Sequence, residues 1–354
     1  MSTMSITLPR PDDWHVHLRD GDVLAAVLPD TARHFARAIV MPNLQPPVTS
    51  AAQAAAYRAR IRALLRPGDD FEPLMTCYLT DVTDASDLIG GARDGIFTAA
   101  KLYPAGATTN SAAGVTDITR LDKVFEAMAN IGLPLLIHGE VVDRKVDVFD
   151  REAVFIERMM TPLRARHPGL KIVFEHITTA EAVAYVSAAD AQYLAATVTP
   201  HHLVLNRSTM FEGGIRPHLY CLPIVKREAH RQALVAAVCS GDAHYFLGTD
   251  SAPHLIASKE TECGCAGIYN APVALATYAE VFAAHHALAH FEAFASRNGP
   301  AFYGLPINRA TVTLTRALTP AAANETTARC VSKAGEILVF QSPDAPRWQL
   351  APHR

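Results

Sequence analysis

The chain has no run of 18 apolar residues, so no segment reads as a helix able to cross a bilayer. The opening stretch, Met1–Arg19, lacks the apolar stretch of a secretory signal and carries charged residues instead. Cysteine is sparse: six in 354 residues are too few for a disulfide framework and are expected as reduced thiols of a cytoplasmic protein. Cys263 and Cys265 form a C-x-C pair, but without a second pair of thiols this is not a zinc clip. A basic excess is missing too. Lys and Arg number 32 against 35 Asp and Glu, for a net charge of −3. Nucleic acid and anionic membrane, which need a concentrated basic face, are thereby excluded as partners. The Arg-rich stretch Arg58–Arg66 reads as the solvated face of a helix.

What is present is apolar residue and histidine. Hydrophobic residues make up 49% of the chain and charged ones 19%, enough for a large core. Short β-branched runs alternate with Ala-rich helical patterns, the signature of repeated βα units. Eight strands are predicted, over Asp13–Leu18, Ala36–Met41, Glu72–Leu79, Ile96–Tyr103, Pro134–His138, Lys171–His176, Gln192–Val198 and Tyr245–Thr249. Helices are predicted between them, over Ala51–Leu65, Ile118–Asn130, Arg151–Arg166, Ala180–Ala188 and Glu228–Ser240. Eight parallel strands with crossover helices close most naturally into a (β/α)8 TIM barrel. An open doubly wound sheet would carry a Gly-rich turn after its first strand, and His-Val-His-Leu-Arg-Asp-Gly is not one. The chain is therefore read as one barrel domain over residues 1–354. Residues from about 311 to 354 form a C-terminal extension packed on it, with no separate sandwich domain.

The 16 histidines concentrate the chemistry. His15 and His17 are two apart on the first predicted strand, so both project from one face. The fifth strand ends in His138, the sixth in Glu175-His176 and the eighth in Asp250. Each is an apolar run whose last residues supply a metal-ligand type, and barrel active sites lie at those strand ends. Lys101 ends the fourth strand in the same way. A bare ammonium beside two dications would be repelled. A lysine of lowered pKa, carboxylated by carbon dioxide, would instead be an anionic bridge between them.

This set resembles the amidohydrolase superfamily, and its finer motifs resemble the compact bacterial dihydroorotases. The matching stretches include Asp13–Gly21, Met41-Pro42-Asn43, Lys101–Thr109, Phe174–Thr179, Arg216–Pro223, Gly248–His254, Gly264–Asn270 and Asn298–Pro306. The resemblance implies two Zn2+ per chain, with His15, His17 and Asp250 on the more buried ion and His138 and His176 on the other. Lys101, as N6-carboxylysine, would bridge them. It gives the substrate carboxylate to Arg19, Asn43 and His254, the ring edge to main-chain groups at Leu222 and Ala266, and a closing loop to Thr108 and Thr109. Loop 105–114, rich in glycine, alanine and small hydroxyl residues, suits such a lid.

The implied reaction is the reversible interconversion of N-carbamoyl-L-aspartate and L-dihydroorotate in de novo pyrimidine biosynthesis. A metal-bridging hydroxide would attack, with Asp250 as general acid and base, in a homodimeric enzyme. A hydantoinase- or allantoinase-like cyclic amidase is the alternative, with the same metal ligands and another side-chain pocket. One departure stands out. The family pattern reads Thr-Pro-Gln-His-Leu where this chain has Thr199-Pro200-His201-His202-Leu203, so His201 is left out of the metal set.

Overall fold

The structure is a computed structural model that describes residues 4–317 and 328–351. A first strand, β1 (Ser5–Pro9), precedes eight that form one sheet in sequential order. These are β2 (Asp12–Val16), β3 (Arg37–Val40), β4 (Glu72–Tyr78), β5 (Phe97–Leu102), β6 (Leu135–Ile137), β7 (Ile172–Phe174), β8 (Leu194–Val198) and β9 (Tyr245–Leu247). All seven neighbouring pairs are parallel. The seam between β9 and β2 is closed just beyond the strand ends: Asp250 N–H donates to the His15 carbonyl at 2.8 Å and His17 N–H to that of Ser251 at 3.0 Å. Asp13 braces the same seam, accepting from the Thr249 amide at 2.8 Å and its hydroxyl at 2.6 Å. The eight predicted strands are all present, and the sheet is a (β/α)8 barrel.

A helix follows each barrel strand, from Gly21–His34 after β2 to Ala274–Ala284 after β9. Local chemistry starts and stops them. Ser50 and Gln53 form a reciprocal capping box ahead of Ala51–Ala63, and the Thr179 side chain accepts from the Ala182 amide. Gly132, in the left-handed conformation at φ 69°, ends Asp122–Ile131. The large hydrophobic core lies between the strands' outer faces and these helices. A second, smaller cluster of Trp14, Ile39, Ala99, Leu136, Val173, Ala195 and Phe246 fills the barrel interior. Phe302 and Tyr303, on the short helix Asn298–Tyr303, stop the barrel from below, where Tyr303 stacks on Trp14 at 4.3 Å between centroids. Gly299 makes that approach possible, because a Cβ there would lie 1.9 Å from the Trp14 ring nitrogen.

This interior layer sets the positions of the polar groups above it. Side chains on one strand face recur every second residue, so two residues beyond Ala99 stands Lys101, beyond Leu136 His138, beyond Val173 Glu175, and beyond Ala195 Thr197. On β2 the simple alternation fails, since Trp14 is already inside. A register irregularity between Asp13 and Val16 resets the phase. Val16 and Leu18 then pack outward in the main core, and His15 and His17 turn in.

Beyond the barrel, β10 (Thr311–Arg316) pairs antiparallel with β1 on one side and with β13 (Trp348–Leu350) on the other. The hairpin β11 (Arg329–Ser332) and β12 (Gly335–Leu338) packs through Ile337 and Val339 against Val27 and Tyr269. β1 is not among the predicted strands. Of the extension predicted over residues 311–354, positions 318–327 and 352–354 lie outside the described residues.

Candidate metal centre at the barrel mouth

His15, His17 and Asp250 meet at the C-terminal end of the barrel. His15 Nε2 is 3.4 Å from His17 Nε2, and Asp250 Oδ1 is 3.4 Å from the first and 3.1 Å from the second. The outer ring nitrogens are engaged elsewhere. Nδ1 of His15 contacts the buried carboxylate of Glu175, and Nδ1 of His17 lies 2.9 Å from Asn43 Oδ1. Both acceptors fix the Nδ1–H tautomer, so each Nε2 presents a lone pair. Two lone pairs and a carboxylate oxygen then face one another with no proton among them, an arrangement that a cation satisfies. Burial also keeps His17 neutral, lowering its pKa to about 3.

His138 and His176 extend the cluster. The His176 ring lies 4.9 Å between centroids from that of His15 and 4.9 Å from that of His138. His138 Nε2 is 2.8 Å from Glu140, leaving Nδ1 for a ligand, and buried Nδ1 of His176 has no hydrogen-bond partner. Burial pushes His176 well below an ordinary imidazole, so it too is neutral. Lys101 lies beneath, fully buried, its Nζ without a hydrogen-bond partner among the described residues and 5.0 Å from the centre of the Tyr103 ring. Desolvation brings its amine down to about 8, against the opposing pull of Glu175 and Asp250. An unpaired buried amine of lowered pKa has the chemistry that carboxylation requires. Arg19, His176 and Asp250 all have left-handed backbone, at φ 59°, 42° and 43°. This is the kind of strain that collects at functional sites. At His176 it has a visible use: Glu175 already occupies the inward position, and the turn brings the next side chain in as well.

The pocket above these groups is narrow, with a cavity volume of about 20 Å3. Besides the four imidazoles and Asp250, its walls are Arg19, Asn43, Tyr103, Thr108, Thr109, Leu222, Ala252, Ala266 and Gly267. Every substrate-site residue expected from the sequence lines it except His254. That ring lies outside the pocket wall, its Nε2 accepting from Arg19 Nη2 at 3.0 Å, while Arg19 Nε donates to the Pro253 carbonyl at 3.1 Å. The His254 ring stands beside Gly267, where a Cβ would lie 2.8 Å from it. Loop 105–114 lies across the pocket. Asn43 Nδ2 donates to the Thr109 carbonyl at 3.0 Å, and the Thr109 hydroxyl to that of Ala266 at 3.3 Å. Ala107 and Ser111 are buried, so the loop packs more than its composition suggests. His201 is buried and does not line the pocket, with Nδ1 3.0 Å from Asn270 Nδ2 and its ring beside that of His202.

Sequence reasoning did not assign Glu175, Glu140, Asp13 or Tyr103. The first two stand one residue before and two residues after a predicted ligand histidine. A carboxylate beside a strand-end histidine is the signal that points to such a partner. Tyr103 follows Lys101 by two and shares its face.

The chain matches the Amidohydrolase family over residues 12–312. It is 60% identical over 343 residues to the dihydroorotase of Synechococcus sp., covering 96% of this chain and 97% of the relative. The crystal structure of dihydroorotase from Campylobacter jejuni superposes with a TM-score of 0.88 at 33% identity, over 99% of this chain and 98% of the other. That of dihydroorotase from Saccharomyces cerevisiae, in complex with 5-fluoroorotic acid, gives 0.85 at 31% identity over 98% of both chains. Family membership implies a metal cofactor, and among the described residues His15, His17 and Asp250 form one group able to hold an ion. With this fold, this mouth and these relatives, the chain belongs to the amidohydrolase family and, within it, to the dihydroorotases, hydrolases of a cyclic amide.

Proposed function

We propose that the chain interconverts N-carbamoyl-L-aspartate and L-dihydroorotate in de novo pyrimidine biosynthesis. The active form is a cytoplasmic homodimer with two zinc ions per chain. His15, His17 and Asp250 would hold one ion and His138 and His176 the other, with carboxylated Lys101 as the shared anionic ligand. What carries the reading is the convergence of these six side chains, from positions 15 to 250, beneath one pocket. The pair His138 and His176 offers too few ligands alone, and the buried amine of Lys101 is beside Tyr103 and in the field of Glu175 and Asp250.

Zinc held by these residues would lower the pKa of a bound water and act as a Lewis acid toward the carbonyl. The chain's own groups do the rest. Arg19, with a guanidinium suited to a bidentate grip, receives the substrate carboxylate together with Asn43 and His254, whose ring stands beside Arg19. Main-chain groups at Leu222 and Ala266 meet the ring edge. In hydrolysis, oxygen from water bonds to the ring carbonyl carbon, the carbon–nitrogen bond breaks, and Asp250 passes the proton released by water to the departing nitrogen. In the other direction the same residues close the ring. Thr108 and Thr109 close over the reactants and exclude solvent.

Parallel assays on L-dihydroorotate and an uncharged hydantoin test the substrate assignment. Turnover of dihydroorotate is expected. Turnover of the hydantoin alone would defeat it, and metal analysis showing fewer than two ions per chain after zinc supplementation would defeat the ligand set.

A further inference from the structure

Lys259 sits on a short helical turn, Ile256–Lys259, and is buried although it pairs with no carboxylate among the described residues. Its ammonium is held by three main-chain carbonyls instead: Gly267 at 2.6 Å, Cys265 at 2.8 Å and Tyr220 at 3.1 Å. These come from two segments far apart in sequence, and each segment supplies a wall of the pocket, one through Leu222 and the other through Ala266 and Gly267. The Tyr220 carbonyl also accepts the Gly267 amide at 3.0 Å, so the two walls are stitched together at the point where the lysine grips both. The joint is tight on the far side. Gly267, at φ 150°, has no room for a Cβ, which would lie 2.8 Å from the Ala252 carbonyl and 2.8 Å from the His254 ring. An ammonium has three donors and no acceptor, so three converging carbonyls match it fully. A charged donor makes each bond stronger than an amide would.

We infer that Lys259 is a positioning residue for substrate binding, clamping the Leu222 and Ala266 main chain at the spacing that the substrate ring requires. The assignment rests on the proposed contact of those two residues with the ring edge. Lys259 touches neither the metal-ligand cluster nor Asp250. Its removal therefore acts on binding rather than on the chemical step.

The experiment compares the zinc-loaded wild type with Lys259→Met and Lys259→Arg in dihydroorotate hydrolysis. Metal content and thermal melting are recorded on each. For Lys259→Met, KM is expected to rise about tenfold or more with kcat within about threefold. Two bound zinc ions per chain should remain. Lys259→Arg, which keeps the charge and several donors, is expected to recover part of the loss. Backbone amide exchange at 265–267 in the zinc-loaded protein should quicken in the methionine variant only. An unchanged KM in a folded, metal-loaded Lys259→Met protein overturns the inference. So does a fall in kcat and metal content together with the melting temperature, which would make the lysine a general stabiliser. Failure of the wild type itself to act on dihydroorotate would instead refute the substrate assignment.

Discussion

Replacing Glu175 with Gln should weaken zinc binding without unfolding the barrel. The Glu175 carboxylate is fully buried, contacts Nδ1 of His15 and accepts the Thr197 hydroxyl at 3.1 Å. Gln keeps the volume and one carbonyl oxygen for the imidazole N–H. It removes the negative charge that makes Nε2 of His15 a strong donor. Loss of an outer partner of this kind typically weakens metal binding 10–100-fold, about 1.4–2.7 kcal/mol. A second effect runs through Lys101, whose amine Glu175 raises against desolvation, so the second ion should also be affected. The assay is competition for zinc against a chelator of known affinity, with circular dichroism to verify folding. A zinc affinity within about threefold of wild type would refute the reasoning, because it would mean that His15 is oriented by packing alone.

Three further outcomes follow from the same geometry. Lys101→Ala should leave about one metal per chain and lose activity by 100-fold or more, since a metal site loses its bridge; two tightly held ions would contradict this in elemental analysis. Asp250→Asn should retain part of the metal and cut kcat by about 10²–10⁴, the usual size of a lost acid–base group, and unchanged turnover would exclude Asp250 from proton transfer. Carboxylation needs the neutral amine. With Lys101 lowered by burial to about 8, reactivation of metal-free protein by zinc at fixed dissolved carbon dioxide should accelerate from pH 6.5 upward. It should then level off above about pH 8.5, as the amine becomes fully deprotonated. A rate that kept climbing tenfold per pH unit to pH 10 would mean an unshifted lysine.

The barrel was legible because each strand is a short apolar run interrupted by turns, and five of those runs end in, or lead directly into, residues that apolar packing does not need. Strand limits came out one or two residues long for the same reason: Lys171–His176 includes its polar end, whereas regular pairing stops at Phe174. The alternation argument reached the right face for His15 and His17 by a route that the structure changes. The irregularity after Asp13 cannot be read from Trp-His-Val-His, because it depends on pairing with β3 and on Trp14 filling the barrel floor. β1 was missed because its partner, β10, lies about 300 residues away and its short run carries no motif. The carbonyl cage of Lys259 is equally silent in sequence, since main-chain oxygens have no letter. His254 was placed by motif at the right end of the barrel, and the structure sets its ring beside Arg19.

The stopper formed by Phe302 and Tyr303 makes the barrel a vessel with one door. The Lys171 ammonium ties it down through the Phe302 carbonyl at 2.7 Å. Reactant and product must cross the same threshold, which Thr109 bars by its bonds to Asn43 and Ala266. If access requires these bonds to break, forward and reverse turnover would share one opening, and a change that slowed the release of Thr109 should impose the same ceiling on both directions.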